Sequence, residues 1–161
     1  MKTTTTISSV RGYFKSETYS LRLELDDATL PCYRYDNNGE LVEDKTDALY
    51  LPTVVLIAQL ANADARFGQW FAHRRDTAFG TKQHPFAPSV AETVLVGAVL
   101  TIESEKHSAG EEYTTSNGET ATYQSDCFNH KVVDVQFPAD INAALNKYMP
   151  KDRTQVIADL F

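Results

Sequence analysis

Residues 65–86 read ARFGQWFAHRRDTAFGTKQHPF and hold the densest mixture of cations and flat rings in the chain. Arg66, Arg74, Arg75 and Lys82 stand there against a single acid, Asp76, in a chain of 161 residues whose net charge is −7. Phe67, Trp70 (the sole tryptophan), Phe71, Phe79 and Phe86 are interleaved with them, and His73 and His84 lie between. Single-stranded nucleic acid asks for this pairing, positive charge for phosphates and ring faces for bases. The pattern predicts a non-enzymatic protein that binds single-stranded DNA or RNA through Arg66, Trp70, Arg74, Arg75, Phe79, Lys82, His84 and Phe86. Spacing then divides the stretch. Phe67 and Phe71 continue an apolar stripe from Leu56, Leu60 and Ala63 at helical intervals, which assigns them to a core. Phe79 and Phe86 lie among Gly80, Pro85 and Pro88 in a segment without period, where rings are available to stack.

Other constellations carry less. Cys127 and His130 have C-x-x-H spacing, but a structural zinc site needs four ligands in paired spacing, and no second pair exists. Strand alternation would also point 127 and 130 to opposite faces. His107 has Glu105, Glu111 and Glu112 nearby, so a carboxylate is at hand to orient its ring. No nucleophile elbow, phosphate-binding loop or dinucleotide fingerprint accompanies it. The sequence therefore predicts no enzyme, no metal and no cofactor.

Outside the basic stretch the chain is acidic. Residues 17–47 contain nine acids against Arg22, Arg34 and Lys45. Glu103, Glu105, Glu111, Glu112 and Glu119 form a second acidic group. These faces supply the alternative reading, a small acidic interaction or inhibitor protein that plugs the basic cleft of a protein partner, as a viral or mobile-element protein would. Reversal at Glu40, Glu43 and Asp44 would test it. The chain ends Ile157-Ala158-Asp159-Leu160-Phe161, which resembles the terminal peptide of bacterial and phage single-stranded DNA-binding proteins. That resemblance covers five residues and implies a protein partner at Asp159, Leu160 and Phe161; an amphipathic helix packing on the core explains the same residues. An exposed strand edge or Leu160-Phe161 would also support a homo-oligomer. Two cysteines, Cys32 and Cys127, fit free thiols in a reducing compartment. The polar start MKTTTTISSV lacks a signal's apolar core, and no apolar run is long enough for a membrane, so a cytoplasmic protein is expected.

The elements that must position these residues are legible as a coarse pattern. Residues 1–9 read as a disordered tail, and 10–161 as one globular domain with a helix-loop insertion at about 50–90. Tyr19, Leu21, Leu23 and Leu25 alternate with Ser20, Arg22 and Glu24, the signature of a half-buried strand. Residues 30–35 read as its partner, 36–39 as a turn, and 40–47 as an acidic connection. Pro52 opens a predicted helix to about Phe71. Residues 94–105 alternate as one long strand, Ser116-Asn117-Gly118 marks a hairpin, and 130–137 returns. Pro138 to Asp140 starts a helix that Met149-Pro150 ends. The fold class is α+β, an antiparallel β-rich domain with one inserted helix and C-terminal helices. Its sheet is either a Greek-key barrel of the oligonucleotide-binding type or an open sheet.

Overall fold

A computed structural model describes residues 1–15, 17–74 and 86–148. The fold is α+β with antiparallel sheets, as the alternating patterns imply. Five strands make the main sheet: β1 (Lys2–Lys15), β2 (Thr18–Asp26), β5 (Ala48–Pro52), β6 (Val99–His107) and β9 (Cys127–Gln136), in the order β5-β2-β1-β6-β9. Two hairpins stand apart from it, β3 (Leu30–Tyr35) with β4 (Leu41–Thr46), and β7 (Glu112–Thr114) with β8 (Thr120–Thr122). Helices α1 (Thr53–Ala63), α2 (Ala65–Arg74) and α3 (Pro88–Leu95) separate β5 from β6, and α4 (Ala139–Leu145) follows β9.

The first strand corrects the expectation of a disordered tail. Its threonines are β-branched and suit a pleated surface, and both of its edges are used. Lys2–Thr6 pairs with β6, and Thr6–Lys15 pairs with β2. Thr6 pairs with both partners, and a bulge between Ile7 and Ser9 follows the switch; a bulge bends and twists a strand. Ile7 and Val10, on either side of it, both reach the core.

Other boundaries also move. The helix predicted over 52–71 breaks at Asp64, whose extended backbone and side chain cap α2: its Oδ1 accepts the Arg66 N–H at 2.9 Å. The segment expected to be one long strand from 94 begins inside α3. Gly97, at φ +87°, makes the reversal into β6, a conformation that costs glycine little. Residues 30–35 pair with 41–46 and not with β2, so the acidic stretch is the strand β4. The turn between them is as predicted: Asp36 Oδ1 accepts the N–H groups of Asn38 and Glu40, and Gly39 takes φ +77°.

Leu21, Leu23 and Leu25 of β2, Leu49 and Leu51 of β5, and Leu100 and Ile102 of β6 line one face of the sheet with Leu56 and Leu60 of α1. Phe67 of α2 is the hub of an aromatic group, 5.9 Å from Phe71, 6.0 Å from Phe86 and 5.7 Å from Phe137, centroid to centroid. Pro88, at the first turn of α3, sits directly over Gly12 of β1, where a β-carbon would lie 2.4 Å from its Cγ. The sheet is open. Among the described residues no ladder joins its edge strands β5 and β9. Helix α1 leaves β5 and packs on β9, and Gln59 Oε1 accepts the edge N–H of Val132 at 2.8 Å. A side chain thus closes part of the gap that a strand pair would otherwise close.

Candidate nucleic-acid interface

Of the residues predicted to meet nucleic acid, Arg66, Trp70 and Phe86 have described side chains, and each of the three is engaged within the fold. Phe86 has no exposed surface and lies against Phe67 and Phe71, so it is a core ring and not a stacking platform. Proline and glycine around it break the helical pattern, but they do not keep a phenylalanine out of a core that has room for it. Trp70 is half-buried, packed on the core and 5.9 Å from Phe67. Arg66 is spent within the fold. Its guanidinium grips Asp64 (Nη2 to Oδ2 2.7 Å, Nε to Oδ1 3.1 Å), and Nη1 donates to Asn146 Oδ1 at 2.6 Å. That guanidinium holds the Asp64 carboxyl below its usual range. Arg75, Phe79, Lys82 and His84 lie outside the described residues, as do the side chain of Arg74 and the terminal Asp159, Leu160 and Phe161.

Two of the three acids singled out for a protein partner have partners within the chain. Glu43 accepts from Lys106 and from Tyr33, and Asp44 from Arg34. Lys106 therefore lowers the Glu43 carboxyl pKa. His107 does have its carboxylate, with Nδ1 3.0 Å from Glu111 Oε1, and its ring stacks on Tyr123 at 4.4 Å. His130 points elsewhere. Its Nδ1 lies 2.8 Å from Ser104 Oγ, and its ring also bonds the Pro31 backbone, which has a carbonyl to offer and no N–H. Burial lowers the pKa of this imidazole, and the Pro31 bond opposes the shift. The histidine is a tether between β6, β9 and the β3–β4 hairpin. Cys127 is opposite His107 in register, and among the described residues no group of three metal-binding side chains forms.

A different basic-aromatic group does assemble, on the sheet face opposite the core. Directly opposed residues of neighbouring antiparallel strands point the same way. Arg11 of β1 opposes Arg22 of β2, and Arg22 opposes Tyr50 of β5. Tyr13, two residues from Arg11, shares that face, and its ring meets the Tyr50 ring edge-on at 5.6 Å. Arg22 Nε donates to Tyr50 Oη at 2.8 Å, its guanidinium carbon lies 5.7 Å from the Tyr50 centroid, and Glu24 takes a further N–H. Tyr50 nevertheless keeps 52% of its surface in solvent. Tyr50 also forms one wall of a cleft of about 590 Å³ over the gap between β5 and β9. Val55 and Gln59 of α1 line it too, as do Glu103 and Glu105 of β6 and residues 128–131 of β9.

Sequence reasoning passed over this group because its members lie on three strands, up to 39 positions apart. The usable signal was the polar parity of two strands: Arg11 and Tyr13 alternate with Val10 and Gly12, and Arg22 alternates with Leu21 and Leu23. Searched against family models, curated proteins and solved structures, the chain matches none.

Proposed function

We propose that the protein binds single-stranded nucleic acid on the outer face of β1, β2 and β5, through Arg11, Tyr13, Arg22 and Tyr50. The observation that carries this reading is the register that sets Arg11, Arg22 and Tyr50 side by side across three strands, with Tyr13 against Tyr50. Guanidinium groups and exposed phenol rings on one surface supply the phosphate and base contacts such a ligand needs. The topology supports the same reading. Leaving out the two side hairpins, the main strands run first, second, third, helices, fourth, fifth, and lie in the order third-second-first-fourth-fifth. We read that order as a Greek-key succession of the oligonucleotide-binding type, in which the face of the second and third strands takes the ligand; here those strands would be β2 and β5. Glu24 in the ground state occupies a donor of Arg22 that a phosphate would take over.

Fluorescence anisotropy with labelled oligo(dT) at 50 and 200 mM salt tests it. Affinity is expected to fall as salt rises, and Arg11→Ala to reduce the slope of log K against log salt by about 0.7, one phosphate contact to a single strand. Tyr50→Ala is expected to weaken binding by about 5- to 150-fold, the range for one lost base stack. No binding at 50 mM salt, or equal binding by Arg11→Ala, Arg22→Ala and Tyr50→Ala, would dispose of the idea.

A further inference from the structure

The cleft beside Tyr50 continues the proposed binding face, and its far wall changes character. The near wall is aromatic and apolar, with Tyr50, Leu51 and Val55, whereas the far wall is built by β6 and β9 with a fixed pairing of opposite groups. Glu103 opposes Lys131, and Glu105 opposes Asn129, so each pair shares a face. All four line the cleft with Tyr50. The amides are already oriented. Gln59 spends its oxygen on Val132 N–H, which leaves its NH₂ as donor, and Asn129 donates Nδ2 to Tyr123 Oη at 3.0 Å, which leaves its oxygen as acceptor. Two carboxylates repel a phosphate, so the part of a nucleotide that fits this wall is its base. A carboxylate accepts two N–H bonds side by side, and among the four common DNA bases guanine alone carries two adjacent donors, N1–H and N2–H, on its Watson–Crick edge. Its O6, next in line, accepts one bond, and the Lys131 ammonium opposite Glu103 is a donor. The volume of about 590 Å³ lies within the range of small-molecule sites.

We infer that this cleft holds an unstacked guanine, read by Glu103 on N1–H and N2–H and by Lys131 on O6, with the base seated beside Tyr50. The inference rests on the proposed function, since it names the base that the strand on the outer face delivers to the cleft.

The test compares dT₁₂ with the same oligonucleotide carrying one central dG, dA or inosine, by anisotropy at low salt. One bidentate base contact gives about 1–3 kcal/mol of discrimination, so dG is expected to raise affinity by about 5- to 150-fold over dT and dA. Inosine keeps N1–H and O6 and lacks the N2 amine, and it should fall between them. Glu103→Gln and Lys131→Ala are each expected to bring the dG-to-dT ratio towards 1. A wild-type ratio near 1, or an unchanged ratio in both variants, overturns the inference while leaving the oligo(dT) result standing. If dT₁₂ itself fails to bind, the outer-face reading fails, and the cleft is judged alone. Guanosine titrated into ¹⁵N-labelled protein should then shift the Gln59 and Asn129 side-chain amide signals, with adenosine as control. Equal response to both nucleosides, or to neither, overturns it.

Discussion

Replacing Phe86 by alanine separates the two ways in which its ring can be understood. Between two prolines in a basic segment, the ring looks available to a base; in the fold it is fully buried, with Phe67 at 6.0 Å and Phe71 edge-on at 5.8 Å. Truncation removes the transfer free energy of the ring and leaves a cavity beside α2 that neighbouring rings fill incompletely. Phenylalanine-to-alanine changes of this kind cost about 3–5 kcal/mol. In a chain of this length each kcal/mol lowers Tm by about 2–4 °C, so melting followed by far-ultraviolet circular dichroism should drop by roughly 6–20 °C. Phe86→Leu keeps much of the volume and should lose clearly less. Oligo(dT) anisotropy, measured well below the Tm of each variant, should stay at the wild-type value, because the ring is enclosed by the core. Unchanged melting together with lost binding would refute the reasoning and return the ring to the ligand.

Two further perturbations probe the frame that carries the face. Gly12→Ala drives a β-carbon to 2.4 Å from Pro88 Cγ and should destabilise by about 1–3 kcal/mol; adding Pro88→Ala should recover part of that loss, and strict additivity in the double-mutant cycle would show that the two do not touch. Asp64→Ala removes the cap of α2 and the partner of Arg66, at a cost of about 1–2 kcal/mol at neutral pH. Because Arg66 depresses the Asp64 carboxyl, its contribution is complete above the ordinary aspartate value near 3.9 and disappears as pH falls through the lower folded value. The gap between wild type and variant in urea unfolding should therefore begin to close as pH falls below about 4 and vanish only below the folded value, and a gap that did not change with pH would count against the ion pair.

Much of the fold was legible where one physical rule dominates. Alternation located β2, β6 and β9, the Asp36–Gly39 turn chemistry located a hairpin, and the stripe from Leu56 to Phe71 identified a buried helical face. Reading failed where two rules compete. Asp64 is an ordinary residue in a helical pattern until its side chain caps the next helix, and then it ends one helix and starts another. The threonines of β1 look like a polar tail because they occupy both faces of the strand and gain their partners from afar. The site was the least legible part. Contiguous basic and aromatic residues suggested one surface, yet Arg66 turned inward to Asp64 and Phe86 to Phe67. The group that does assemble is separated in sequence and joined by register, which no local window reports.

The double use of β1 also bears on how the chain is made. Its second half pairs with the next strand in the chain, Lys15 opposite Thr18 in β2, while its first half waits for β6, with Lys2 opposite Glu103. At about 5–20 residues per second of synthesis, the hairpin half can form while the other half stays unpaired for roughly 5–20 s. An open strand edge held that long invites pairing with another nascent chain. The hydroxyl-rich Thr3–Thr6 stretch answers that hazard, because it pairs well once β6 arrives but offers little apolar surface to a stranger. A permuted chain that begins after β1, with β1 moved beyond β9, would pass the waiting edge from β1 to β2 and β6.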